Sequence, residues 1–149
     1  MISILFIYLT LLSGSQSSEN RPTVTTQTTS TWYSRLPRQD QEQFLKTYDS
    51  FIDLRKRRDW KRLFELFQNE ENLSESEFER IMNSLHPLMD FRPKAMFYVP
   101  PSEEWIITGE ASFRKNEGSE YWAPSRMHAK KVHSRWRFSD IAIDVVGGK

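Results

Sequence analysis

Between Trp105 and Val146 the chain carries a pattern that only a sheet can bury. Trp105, Ile107, Gly109, Ala111 and Phe113 alternate with Ile106, Thr108, Glu110 and Ser112. That period of two puts one set on a packed face and the other on a wetter one. A second extended run spans Tyr121 to Val132 and a third spans Trp136 to Val146. Lys115-Asn116-Glu117-Gly118-Ser119 and His133-Ser134 separate the three runs, with Asn and Gly where a hairpin needs positive φ. The expectation is an antiparallel meander with an aromatic face that needs a cover. Pro124 lacks a ladder donor, so the second run is expected to bend, bulge or lie on an edge there. In the third run Trp136 and Phe138 are out of phase with Ile141 and Ile143. A bulge at Ser139-Asp140 would bring all four to one core.

The first half supplies the cover. Phe44, Tyr48, Phe51, Ile52 and Arg55 form one helical stripe in a helix that begins near Pro37–Asp40 and breaks near Arg58-Asp59. Asp59 can cap a short second helix bearing Trp60, Leu63, Phe64 and Phe67. Ser74 and Glu77 have the spacing of a capping box, ahead of Phe78, Ile81, Met82 and Leu85 at helical intervals. Pro87 ends that third helix. Phe91 to Val99 is extended, and Pro100-Pro101 closes it.

Residues 1–15 are expected to be a signal peptide. Ile2 to Leu12 is almost wholly apolar, too short for the roughly 20 residues that span a bilayer, and Ser13, Ser15 and Ser17 supply small residues for cleavage after Ser15 or Ser17. Residues 16–35, with Thr-Val-Thr-Thr-Gln-Thr-Thr-Ser-Thr at 23–31, are expected to be a disordered Ser/Thr-rich linker. Residues 36–146 are expected to be one domain. The chain contains no cysteine, which in an extracellular protein leaves stability to packing and excludes thiol chemistry. The net charge is +1, so no global field favours nucleic acid or an anionic membrane.

Phe44-Leu45-Lys46-Thr47-Tyr48, the junction Arg58-Asp59-Trp60-Lys61-Arg62-Leu63-Phe64-Glu65-Leu66-Phe67 and the closing Ser134-Arg135-Trp136-Arg137-Phe138-Ser139-Asp140-Ile141-Ala142-Ile143 resemble the NTF2-like superfamily, the cystatin-like α+β cone. The resemblance implies an α+β fold in which N-terminal helices pack on a curved antiparallel sheet. It implies a pocket between helix and sheet, for which Tyr48, Phe51, Tyr98, Trp105, Phe113 and Trp136 are the candidate lining. It does not fix an activity, because this fold hosts enzymes, carriers and inert dimers. The expected function is a secreted, non-enzymatic domain that binds a small apolar ligand or a protein partner, with homodimerisation through the sheet. The alternative is a small-molecule isomerase or dehydratase, for which Tyr48, Asp90, Tyr98 and His128 are the proton-moving candidates. An open cone with an inward ionisable group would favour the enzyme. A filled cone would sink both the ligand and the enzyme reading and leave an interaction module.

His86, His128 and His133 have no metal-ligand spacing, and no metal or other cofactor is expected. Arg55-Lys56-Arg57-Arg58 fits a basic processing site, and Gly147-Gly148-Lys149 resembles the end of an amidated precursor; a solvated helix end explains the basic run as well. Arg114, Lys115, Arg126, Lys130, Lys131, Arg135 and Arg137 could form a basic face, although such residues on strands also deter edge aggregation. Asn72-Leu73-Ser74 is a sequon for N-glycosylation of Asn72.

Overall fold

The computed structural model describes residues 31–144. The expected signal segment and most of the expected linker lie outside them, as do Val145, Val146 and the Gly-Gly-Lys end. Within the described chain the class is α+β: helices α1 (Arg38–Arg57), α2 (Trp60–Leu66) and α3 (Glu75–Ser84) precede strands β1 (Leu88–Val99), β2 (Glu104–Arg114), β3 (Glu120–Val132), β4 (Arg135–Phe138) and β5 (Ala142–Ile143). The strands form one curved, unclosed antiparallel sheet in the order β1-β2-β3-β4, with β5 also paired to β3.

Local chemistry sets the helix ends. The last turn of α1 carries Arg55, Lys56 and Arg57 at its negative end, and Arg58 closes it in the left-handed conformation at φ 60°. Asp59 accepts the Arg62 amide at 3.4 Å and starts α2. Ser74 and Glu77 make the expected reciprocal cap of α3, with Glu77 N–H donating to Ser74 Oγ at 3.2 Å and Ser74 N–H to Glu77 Oε2 at 2.8 Å.

The core lies between α1 and the inner face of the sheet. Phe44, Phe51, Leu63, Ile107, Ala111, Met127, Ala129 and Phe138 have no solvent exposure. Phe138 is the hub: its ring lies 5.7 Å from Phe44, 5.2 Å from Phe51 and 6.2 Å from Tyr48, centroid to centroid. The interior of the expected cone is therefore filled by side chains. Trp32 and Tyr33, placed by composition in the linker, pack on this core as well, with Trp32 5.0 Å from the Tyr48 ring.

The β1–β2 register slips twice, between Leu88 and Asp90 and between Pro93 and Ala95, and beside the second slip a Cβ on Gly109 would stand 2.2 Å from the Arg92 carbonyl oxygen. Only a residue without a side chain allows the two backbones to approach so closely. Pro124 causes no break in the β2–β3 ladder, where it faces Glu110 in continuous register. Its carbonyl accepts from Asp144 N–H at 2.8 Å on the opposite side, so its missing donor also faces away from β2.

The third run differs from expectation. It divides into β4, paired to residues 129–132, and β5, paired to Ser125 and Arg126. Ser139 fills the gap: its amide donates to His128 O at 2.9 Å and its Oγ accepts the His128 amide at 2.8 Å. Trp136, Phe138 and Ile141 reach the core as expected, but Ile143 is 42% exposed. After the break, the backbone of β5 is anchored by only two register pairs and carries Ile143 to a rim.

Candidate groove at the end of the first helix

The chain leaves α3 at Ser84, runs extended through Leu85, and passes His86-Pro87 into β1. This places Leu85 and His86 beside the closing end of the β2–β3 hairpin, where Phe113 faces Tyr121 across the ladder. The β4–β5 break brings Asp140, Ile141, Ala142 and Ile143 to the other side, and Arg55 reaches in from the last turn of α1. Together with Ser84 these residues line a groove of about 410 Å³. Its walls are mainly apolar, and Leu85 and Ile143 stand at 39% and 42% exposure.

One ion pair lies at its base. Arg55 Nε donates to Asp140 Oδ1 at 2.9 Å; the arginine side chain is 2% exposed and that of the aspartate 21%. The guanidinium carbon lies 5.5 Å from the centre of the Trp60 ring, whose Nε1 donates to Asn83 Oδ1 at 2.8 Å. Arg55 Nη1 is buried without a hydrogen-bond partner. A desolvated donor left unmatched is costly, so this guanidinium edge is chemically unfinished. The basic run is correspondingly not a uniform solvated helix end: Arg55 is buried in the fold, whereas Lys56, Arg57 and Arg58 are exposed. At the other end of the groove His86 Nδ1 and the Tyr121 hydroxyl are 3.0 Å apart, and Ser84 Oγ donates to Ile81 O at 2.6 Å.

The six residues expected to line one pocket are not gathered. Phe113 lines this groove. Tyr48 lines a second one of about 420 Å³ between α1 and β1, with Trp32, Asp49, Ile52 and Phe91 among its walls. Phe51 and Trp136 are core, the latter 5.0 Å from the Phe44 ring. Tyr98, 45% exposed, and Trp105 pack on each other at 5.1 Å at the far end of the β1–β2 hairpin and line neither groove.

The proton-moving candidates are likewise dispersed. Burial raises the Tyr48 phenol far above its ordinary value, reinforced by the charges of Asp49 and Asp90, so it stays neutral. Asp90 accepts the Phe91 amide at 2.9 Å. His128 meets Glu104, with Nδ1 3.2 Å from Oε2. Gln68 Nε2 also donates to Glu104, at 2.8 Å. Burial pushes the Glu104 carboxyl up, but the hydrogen bonds from Gln68, His128 and Ser102 and the His128 charge outweigh it and hold the group below its usual range.

Three of the seven residues named for a basic face pair with acids: Arg126 with Asp144 at 3.1 Å, Arg114 with Glu120 at 3.0 Å and Lys131 with Asp40 at 2.9 Å. Among the described residues no group of three or more His, Asp or Glu side chains could hold a metal, and no helix is long and apolar enough to cross a membrane. Asn72 is exposed in the α2–α3 loop at φ 53°, beside the Ser74 cap. No protein family, curated protein or solved structure matches the chain.

Proposed function

We propose that the chain is a secreted, non-enzymatic binding domain of NTF2-like type, and that it takes a small, largely apolar ligand in the groove at the end of α1. One observation carries the reading: mainly apolar walls flank an open groove of about 410 Å³ beside an ion pair whose arginine is buried with an unmatched donor. Small-molecule sites combine this size, an apolar lining and a few convergent polar groups. Side chains fill the cone, which removes the ligand reading for its interior; the groove proposed here is a separate, open site at the end of α1. The groove's ionisable side chains already engage one another, Asp140 with Arg55 and His86 with Tyr121, which suits recognition better than proton transfer. Burial of Arg55 inside α1 also weighs against release of peptides at the basic run. Secretion rests on the apolar N-terminal segment, and modification of Asn72 on the exposed sequon.

Amide-resolved NMR titration with a library of small apolar compounds tests the groove. Binders should shift the resonances of Leu85, His86, Phe113 and Ile141–Ile143, and Ala142→Trp on the exposed rim should abolish the effect. Shifts that leave these residues unmoved refute the reading. Mass spectrometry of protein from a eukaryotic secretory host tests the compartment: a mature chain should begin after Ser15 or Ser17, and an intracellular chain retaining Met1 refutes secretion.

A further inference from the structure

We infer a second site, separate from the groove: a polyanion-docking patch at the corner between α1 and α2, whose partner is a sulfated polysaccharide. Lys56, Arg57, Arg58, Lys61 and Arg62 fall within seven consecutive residues, and all five are exposed. A chain of that length reaches at most roughly 20 Å even when extended. Here both flanks are helical, so the cations share one small area. Asp53 meets Arg57 at 2.8 Å and Asp59 meets Arg62 at 3.8 Å, and in both pairs the arginine is more than half exposed. Such pairs contribute little and yield to a stronger anion. Lys56, Arg58 and Lys61 make no ion pair among the described residues, although Glu65 follows Lys61 by one turn. Five cations against these three acids leave an excess of two positive charges, more than the +1 of the whole chain. Arg58 is also held in place. It closes α1 at φ 60°, its Nη2 donates to Asn83 Oδ1 at 3.2 Å, and its guanidinium carbon lies 5.6 Å from the centre of the Trp60 ring.

The composition of the corner selects the partner. Every exposed position from 53 to 62 is charged, while Leu54 and Trp60 are buried in the core. A protein partner is anchored by aromatic or aliphatic side chains in pockets. Stable membrane attachment adds an apolar element to basic residues. Single-stranded nucleic acid stacks on exposed aromatic rings. The corner offers none of these. A long polyanion needs only accessible cations, and the planar forks of Arg57, Arg58 and Arg62 match the oxygens of a tetrahedral oxyanion. A nucleic-acid duplex would meet the same charges. The choice of a sulfated polysaccharide over it rests on the proposed secretion, because sulfated glycans are polyanions of the cell exterior.

Calorimetric titration of the protein from the eukaryotic host, at physiological salt, decides the matter. The probes are a heparin oligosaccharide, its desulfated counterpart, a DNA duplex of similar charge, and phosphatidylcholine vesicles containing phosphatidylserine. Heparin should bind and weaken as salt is raised, and the desulfated sugar should not bind. Lys56→Gln with Arg58→Asn and Lys61→Gln should weaken heparin binding by about tenfold or more. Asparagine is used at position 58 because it tolerates positive φ. Lys130→Gln with Arg135→Gln and Arg137→Gln removes equal charge from β3 and β4 and should weaken binding by less than about threefold. Should the first variant not fold, Lys56→Gln with Lys61→Gln serves instead, with a loss of about threefold or more expected. No binding of heparin, an equal loss in the two triple variants, or DNA or vesicles bound as tightly as heparin overturns the inference. Secretion is judged separately, by where the mature chain begins, so failure of that reading is distinct from failure of the patch.

Discussion

Removing the Asp140 carboxylate should destabilise this protein more than removing both partners of its ion pair. In Asp140→Ala, the Arg55 guanidinium, 2% exposed in the parent, would lose its one hydrogen bond and its counter-charge. Two unit charges about 4 Å apart at an effective dielectric of about 20 attract by about 4 kcal/mol. Asp140 is one-fifth exposed, so water screens part of that attraction. The expected loss is about 3 kcal/mol, at the lower edge of what breaking a buried pair costs. Arg55→Met with Asp140→Leu replaces both charges by apolar groups and should lie within about 1 kcal/mol of the starting protein. Urea unfolding of the parent, Arg55→Met, Asp140→Leu and the double variant gives the coupling energy directly. A loss below about 1 kcal/mol for Asp140→Ala, with no coupling between the sites, would show that water reaches the guanidinium freely and would refute the account of a desolvated pair.

Other perturbations test the rest of the architecture. Gly109→Ala drives a Cβ toward the Arg92 carbonyl, 2.2 Å away, and the obstacle is backbone; a loss of about 2–3 kcal/mol in urea unfolding is expected, and an unchanged midpoint would contradict the close approach. Glu104 is held below its usual range when folded, so its contribution to stability is present above the unfolded carboxyl value and lost as pH falls through the folded one; Glu104→Gln should therefore flatten the acid limb of a stability profile, and an unchanged limb would contradict this. Ser74→Ala should cost about 1 kcal/mol by removing the α3 cap and should also abolish any glycan on Asn72, whereas Ser74→Asp should lose the glycan and keep the cap, as denaturation and gel mobility would report.

Local rules account for what could be read in advance. The Ser74–Glu77 cap, the Asp59 start and most of the β2 alternation involve neighbours within a few residues, so spacing identifies them; Ser112, placed on the wetter face, is buried because both faces of the strand are covered there. Trp32 and Tyr33 were hidden because a Ser/Thr-rich window averages away two aromatic residues at its edge. Alternation assigns a face but not a height along the strand. Tyr98 and Trp105 therefore share a packing phase yet end at the far tip of a hairpin. Arg55 falls on the apolar stripe of α1, a visible hint of burial, but its partner stands 85 residues away and no periodicity points to it. The groove depends on that partner and on the β4–β5 break, so its position was not legible although most of its elements were.

The distance in sequence between Arg55 and Asp140 also orders events during synthesis. Helix α1 emerges early, while the residue that neutralises its buried cation emerges 85 residues after Arg55. Closing so long a loop is a late step in a chain that is made from its N-terminus. Until then all four positions of the Arg55–Arg58 run are without their final surroundings, and the groove has only one side. A nascent chain halted before Asp140 thus exposes a tetrabasic segment that the finished fold partly conceals. The link that carries Asp140 does more than join two strands: its arrival takes Arg55 out of a run whose other three basic residues stay exposed.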